Sequence, residues 1–167
     1  SAEDWLKTVE ANIRDERFGP VAEQVKATWE VLRQNSSVEI DDVMLSGKGN
    51  RRKVEVKVSV DDVDGVALGV MSQGELHALA LSLFVPRATL PDSPFGFLLI
   101  DDPVQAMDPA RADGLATLLD QIAGSRQVVV FTRDDRLPDA CRPLGLDAGV
   151  LEVNRRPNSV VEVRAAA

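Results

Sequence analysis

One cysteine and one histidine are all that the 167-residue chain contains of either type. With Cys141 alone there is no disulfide framework and no cysteine metal site. His77 falls on a predicted helix, where packing or surface exposure suits it better than ligation. No apolar run approaches transmembrane length, and the start does not read as a secretory signal, so the chain reads as cytoplasmic. A phosphate loop is missing too. Such a loop needs Gly-x-x-x-x-Gly-Lys-Ser/Thr after a strand. The nearest stretch, Leu45-Ser-Gly-Lys-Gly-Asn50, lacks the first glycine, the closing hydroxyl residue and the following helix. The chain therefore cannot cradle a triphosphate by itself. Positive charge is also short. The 19 Lys and Arg against 27 Asp and Glu leave a net charge of -8, which excludes the surface as a whole from nucleic-acid binding. The cluster Lys48, Arg51, Arg52 and Lys53 is the one local exception, read either as a DNA contact or as a solvated hairpin tip.

The length and the 44% hydrophobic content suit a single compact unit with a real core. Residues 3 to 16 form a polar helical stretch with Trp5, Val9 and Ile13 spaced four apart, which Gly19-Pro20 is expected to break. Residues 20 to 34 carry Val21, Val25, Trp29 and Leu32 at helical spacing. They suit the root of a coiled coil or a plain amphipathic helix on a sheet. From Ser37 the period changes to two, with Val38, Ile40, Val54, Val56, Val58 and Val60 alternating with charged residues. Turns are expected at Asn50 and at Asp64-Gly65.

Two segments carry chemistry. Phe95-Gly-Phe-Leu-Leu-Ile-Asp101-Asp102-Pro103 is an apolar run that stops on paired carboxylates, followed by Val104-Gln-Ala-Met-Asp108-Pro109. Ionised carboxylates are costly to desolvate, so they suit either a strand mouth where a metal and a phosphate are handled or an ordinary strand-to-loop junction whose acids cap the next helix. Upstream, Met71-Ser72-Gln73-Gly74-Glu75 leads into Leu76-His-Ala-Leu-Ala-Leu-Ser-Leu-Phe84, read as a helix with residues 76, 79, 80, 83 and 84 on one broad face. Ser72 and Glu75 have the spacing of a capping box. Gly74 in the first turn makes sense if something approaches the backbone closely. A hydroxyl, free N–H groups and a positive helix end together suit a phosphate. After a loop from Pro86 to Pro94, strand 95 to 100 with helix 109 to 123 and strand 127 to 131 with helix 135 to 141 alternate. A final β pair is expected near 148 to 153 and 159 to 164. That order implies parallel central strands covered by helices.

Met71-Ser-Gln-Gly-Glu75 resembles the signature motif of ABC-type ATPases, Leu98-Leu-Ile-Asp101-Asp102-Pro103 their Walker B strand, and Ala106-Met-Asp108 their D-loop. The nearest flavour is the SMC-like group of chromosome-maintenance and DNA-repair ATPases, whose head is split by a coiled coil. That group includes nuclease, toxin and AAA-family members with Asp-Asp-Pro at this strand. The chain is similar to the C-terminal half of such a head: a helical arm and possible coiled-coil root over 1–34, and an α/β C-terminal lobe over 35–167. The lobe would hold a mostly parallel sheet with an antiparallel lead-in.

The resemblance implies ATP and Mg2+ as cofactors, with a phosphate-loop lobe upstream or on another polypeptide. It also implies a homodimer of heads closed around ATP, and DNA reached through the complete protein. By it Asp101 would hold the magnesium ion, and Asp102, where the family usually has glutamate, would orient or deprotonate the attacking water. Ser72, Gln73, Gly74 and Glu75 would meet nucleotide bound to the opposite protomer, and Asp108 would communicate across that interface. Val128-Val-Val-Phe131-Thr132-Arg133-Asp134 matches the switch strand, with Arg133 in place of the usual histidine. That guanidinium could contact a phosphate or pair with Asp134 or Asp135. A nucleotide-gated clamp with little hydrolysis and a regulatory lobe of a defence effector are the alternatives.

Overall fold

The computed structural model describes residues 2–47, 51, 53–61 and 63–166. The chain begins with one continuous helix, α1 (Ala2–Arg33), that carries Pro20 inside it. The break expected at Gly19-Pro20 is not there. A proline removes one backbone hydrogen bond and crowds the preceding turn, but the helix beyond it is anchored. Ala22, Val25, Trp29 and Leu32 are buried, and the Trp29 indole N–H donates to the Val38 carbonyl at 3.2 Å. In the outer half Trp5, Leu6 and Ile13 are exposed.

Strands β1 (Val38–Ser46), β2 (Lys53–Val60) and β3 (Val63–Gly65) form an antiparallel meander in that order. The register shifts between Ile40 and Asp42. An extra residue at that point changes which parity faces inward, and the core accordingly takes Val38 and Ile40, then Val43. Asp64-Gly65 lies in β3 rather than in a turn; the chain reverses at Asp61, whose φ is 51°. Of the basic cluster, Lys48 and Arg52 lie outside the described residues, as does the turn residue Asn50. Lys53 pairs with Glu55 at 2.7 Å.

After the short α2 (Ala67–Val70), α3 (Gln73–Ala88) continues through Pro86 and shortens the expected loop. Its core face is Ala78, Leu79, Leu81, Ser82 and Val85, whereas Ala80 and Phe84 are exposed. Of the expected face, Leu79 is in the core and Leu76 and Leu83 pack against it, while Ala80 and Phe84 point outward. This helix carries apolar residues on more than one side, and periodicity only partly selects among them.

β4 (Phe97–Asp101) and β5 (Gln127–Phe131) pair in parallel, joined by α4 (Pro109–Ala123). The helices cover only one face of this sheet. Leu98 and Ile100 point inward, while Phe97, Leu99 and Phe131 are 45%, 57% and 57% exposed. After β5 comes α5 (Arg136–Leu144), stopped by Gly145 at a φ of 67°. A separate antiparallel hairpin follows, β6 (Leu151–Arg155) and β7 (Val161–Ala165).

Candidate nucleotide site

The mouth of β4 sets two carboxylates side by side in different environments. Asp101 ends the strand and is exposed, and its carboxylate makes no hydrogen bond or ion pair among the described residues. Asp102 is half-buried and held. Its N–H donates to the Phe131 carbonyl at 2.7 Å, and its Oδ1 accepts from the Thr132 hydroxyl at 3.1 Å. Its φ of 47° is left-handed, a conformation that costs a non-glycine residue about 1–2 kcal/mol. Ala106 in the same loop adopts a φ of 63°. The β4–α4 loop is therefore wound tightly, and it buries Val104 and Met107 beneath it.

That loop leans on the start of α3. Gly74 is the contact point: a Cβ there would lie 2.4 Å from the Ala106 carbonyl oxygen. The close approach expected of this glycine is thus made by the chain's own backbone. Ser72 caps the helix, its hydroxyl accepting from the Glu75 N–H at 3.3 Å while the Glu75 carboxylate accepts from the Ser72 N–H at 2.7 Å. Ser72 and Gln73 are exposed, so the helix end is open to a ligand.

Glu75 is more than half of a capping box. It also accepts from the Ser36 hydroxyl and from Arg111 at 3.2 Å, and Arg111 in turn pairs with Asp108, the N-cap of α4. Burial pulls the Glu75 carboxyl upward. The hydrogen bonds from Ser36 and Ser72 and the charge of Arg111 outweigh that, leaving it below its ordinary value. One relay thus joins the end of α1, the cap of α3 and the loop before α4.

Past β5, Arg133 is exposed and its side chain has no hydrogen bond or ion pair among the described residues. The pairing with Asp134 does not form, because Arg136 takes that carboxylate, with Nε to Oδ1 at 2.7 Å. Arg136 holds the Asp134 carboxyl down to about 2 and also donates to the Met107 carbonyl. Thr132, Ser36, Arg111 and Arg136 carry no role in the sequence reading. Arg111 had a visible signal, since an N-cap aspartate with arginine three residues later is a helix-surface pair.

No group of three or more His, Cys, Asp or Glu side chains among the described residues could hold a metal ion. Asp101 nevertheless suits magnesium, which keeps several waters and takes one or two carboxylates plus substrate phosphates. Among the described residues no helix is long and apolar enough to cross a membrane.

No protein-family model and no curated protein matches the chain. Solved structures do. A structure from work on ATP-driven dimerization and DNA-stimulated activation of SMC ATPases aligns at a TM-score of 0.66 and 18% identity, over 94% of this chain and 89% of that one. An Smc head with an extended coiled coil from Pyrococcus furiosus, bound to the C-terminal domain of ScpA, aligns at 0.68 and 16%, over 98% of this chain and 39% of that one. An SMC head from Thermotoga maritima aligns at 0.59 and 18%, over 88% and 47%. The chain thus spans less than half the length of these last two. Across 18% identity or less, with nearly all of its length aligned, the chain has the fold of SMC ATPase head domains.

Proposed function

We propose that this chain is the C-terminal half of an ATP-binding head that dimerises around nucleotide, in chromosome maintenance or DNA repair. The observation that carries the reading is the meeting of three groups at one loop. They are the unpaired carboxylate of Asp101, the clamped carboxylate of Asp102, and the open, capped end of α3. Bound there with ATP, magnesium would offset charge on the β and γ phosphates. Asp101 is the residue to hold it. Asp102 keeps one oxygen, Oδ2, without a partner among the described residues, free to orient or deprotonate a water. Ser72 and the N–H groups of Gln73 and Gly74 present a hydroxyl and a positive helix end to a γ-phosphate on the opposite protomer. Glu75 holds that end in shape. Asp108, already engaged by Arg111, acts through the position of its loop. Arg133, exposed and unpaired, suits a phosphate contact.

The sheet supports a missing lobe. Purely parallel sheets are almost always covered on both faces, and two strands alone are marginal. β4 and β5 are two parallel strands with one bare apolar face. A lobe carrying the phosphate loop would cover that face and extend the sheet. The outer half of α1 suits the root of a coiled coil, and DNA would be met through the complete, cytoplasmic protein.

The test uses the complete head, with this chain joined to its phosphate-loop lobe. ATP turnover and ATP-dependent dimerisation, the latter by light scattering, are measured for wild type and Asp102→Asn. Loss of a positioned general base costs about 10²–10⁴-fold, so turnover should fall at least a hundredfold while dimers persist. Equal turnover would remove Asp102 from the chemistry. Dimers with no turnover to lose would identify a nucleotide-gated clamp.

A further inference from the structure

We propose that Thr132 is a positioning residue for Asp102, fixing which carboxylate oxygen faces the attacking water. This rests on the reading of Asp102 as the group that handles that water. The Thr132 hydroxyl has one proton and two lone pairs. One lone pair is taken by the Asp134 N–H, which donates to Oγ1 at 3.0 Å. The proton is then directed at Asp102 Oδ1, 3.1 Å away.

Thr132 is itself held from behind. Arg136 grips the Asp134 carboxylate through Nε at 2.7 Å and through its own N–H at 2.9 Å, and it reaches the Met107 carbonyl in the β4–α4 loop. Asp102 is also tied by its main chain to Phe131, the residue before Thr132. Both ends of the Asp102–Thr132 bond are therefore anchored, each one residue past the end of a parallel strand.

The geometry assigns a task to each oxygen. Oδ1 is occupied by the hydroxyl, and Oδ2 has no partner among the described residues. Aspartate is one methylene shorter than glutamate, so a carboxylate turned about its own axis has less slack to reach a water. A hydroxyl that stops that rotation preserves near-attack geometry, to which rates are steeply sensitive.

The complete head is assayed for kcat and KM with ATP in wild type, Asp102→Asn, Thr132→Val, Thr132→Ser and the Asp102→Asn/Thr132→Val pair. Valine keeps the branched shape without the hydroxyl, and serine keeps the hydroxyl without the methyl. A lost hydrogen bond to a charged group corresponds to roughly ten- to hundredfold. Thr132→Val should lower kcat at least tenfold with KM within about twofold. Thr132→Ser should stay within about threefold of wild type, and the double variant should match Asp102→Asn. Wild-type kcat in Thr132→Val overturns the proposal. So does a serine variant as impaired as the valine one, since that would make the methyl, and hence packing, the cause. If valine unfolds the head, Thr132→Ala takes its place, with the same loss of kcat expected and a wild-type kcat overturning the proposal. If Asp102→Asn retains full turnover, the underlying reading fails and Thr132 has nothing to position. A dead Asp102→Asn with an unaffected Thr132→Val overturns Thr132 alone.

Discussion

Replacing Gly74 with alanine sets two effects of opposite sign against each other. Within a helix, alanine is favoured over glycine by up to about 1 kcal/mol. Gly74 sits in the first turn of α3, and its φ is not left-handed, so the backbone accepts a side chain. Propensity alone predicts a stabilised protein. The added Cβ would lie 2.4 Å from the Ala106 carbonyl oxygen, whereas real Cβ atoms essentially never come within 3.0 Å of a neighbour. More than half an ångström of movement is therefore needed, and the atom in the way is backbone. Ala106 already holds a left-handed φ of 63°, and Met107 beside it is buried, so the loop has little room to retreat. Overpacking of this kind costs about 1–3 kcal/mol, which exceeds the propensity gain. Because the blocking atom is backbone, the cost belongs in the upper part of that range, about 2–3 kcal/mol. The propensity gain of about 1 kcal/mol leaves a net loss of about 1–2 kcal/mol, or a fall in Tm of roughly 2–8 °C for a chain of this size. Thermal unfolding followed by circular dichroism reads it directly. An unchanged or raised Tm would refute the contact between the cap of α3 and the β4–α4 loop.

The Glu75 relay gives a second expectation. Its folded pKa lies below the unfolded value of 4.5, so the stability it contributes is present above pH 4.5 and lost as pH falls through the folded value. Glu75→Gln should cost about 1–3 kcal/mol at pH 7, and the gap to wild type should close in acid; a gap independent of pH would refute the ionic part. Asp134, lowered from 3.8 to about 2, has the same sign, and its share disappears between those values. On the bare face of β4 and β5, Leu99→Thr with Phe131→Thr should change the Tm of this chain by no more than about 4 °C. In the complete head the same pair should weaken binding of the phosphate-loop lobe, measured by calorimetry, and unaltered binding would place the lobe elsewhere.

Legibility in the sequence followed physical determinacy. The span of α4 and β5 was readable because Pro109 and the Asp108 cap mark a start and Val128-Val-Val is too short and β-branched for a helix. The Ser72–Glu75 capping box was readable because both ends lie within one turn. The buried face of α3 was readable only in part, through Leu76, Leu79 and Leu83, since Ala80 and Phe84 are as apolar as the residues that are buried instead. Nor was the continuity of α1, because Pro20 is a local signal and the burial of Trp29 and Leu32 that overrides it is tertiary. Ser36, Arg111 and Thr132 act across 39, 36 and 30 residues of sequence respectively. No spacing rule reaches that far. The bare sheet face was hidden for another reason: Phe97 and Leu99 look like core residues until something is seen not to cover them.

Pro20 has a mechanical consequence. α1 runs about 48 Å at 1.5 Å per residue, and packing against the core begins around the proline, with Phe18 just before it and Val21 and Ala22 just beyond. The backbone is short of one rung where the free beam meets its clamped root. A sideways load on the outer half therefore concentrates its bending at that rung, ahead of the turns that carry Val25, Trp29 and Leu32. The arm is thus most compliant at that rung, and a load that passes it reaches β1 and α3, against which the inner half of the helix packs.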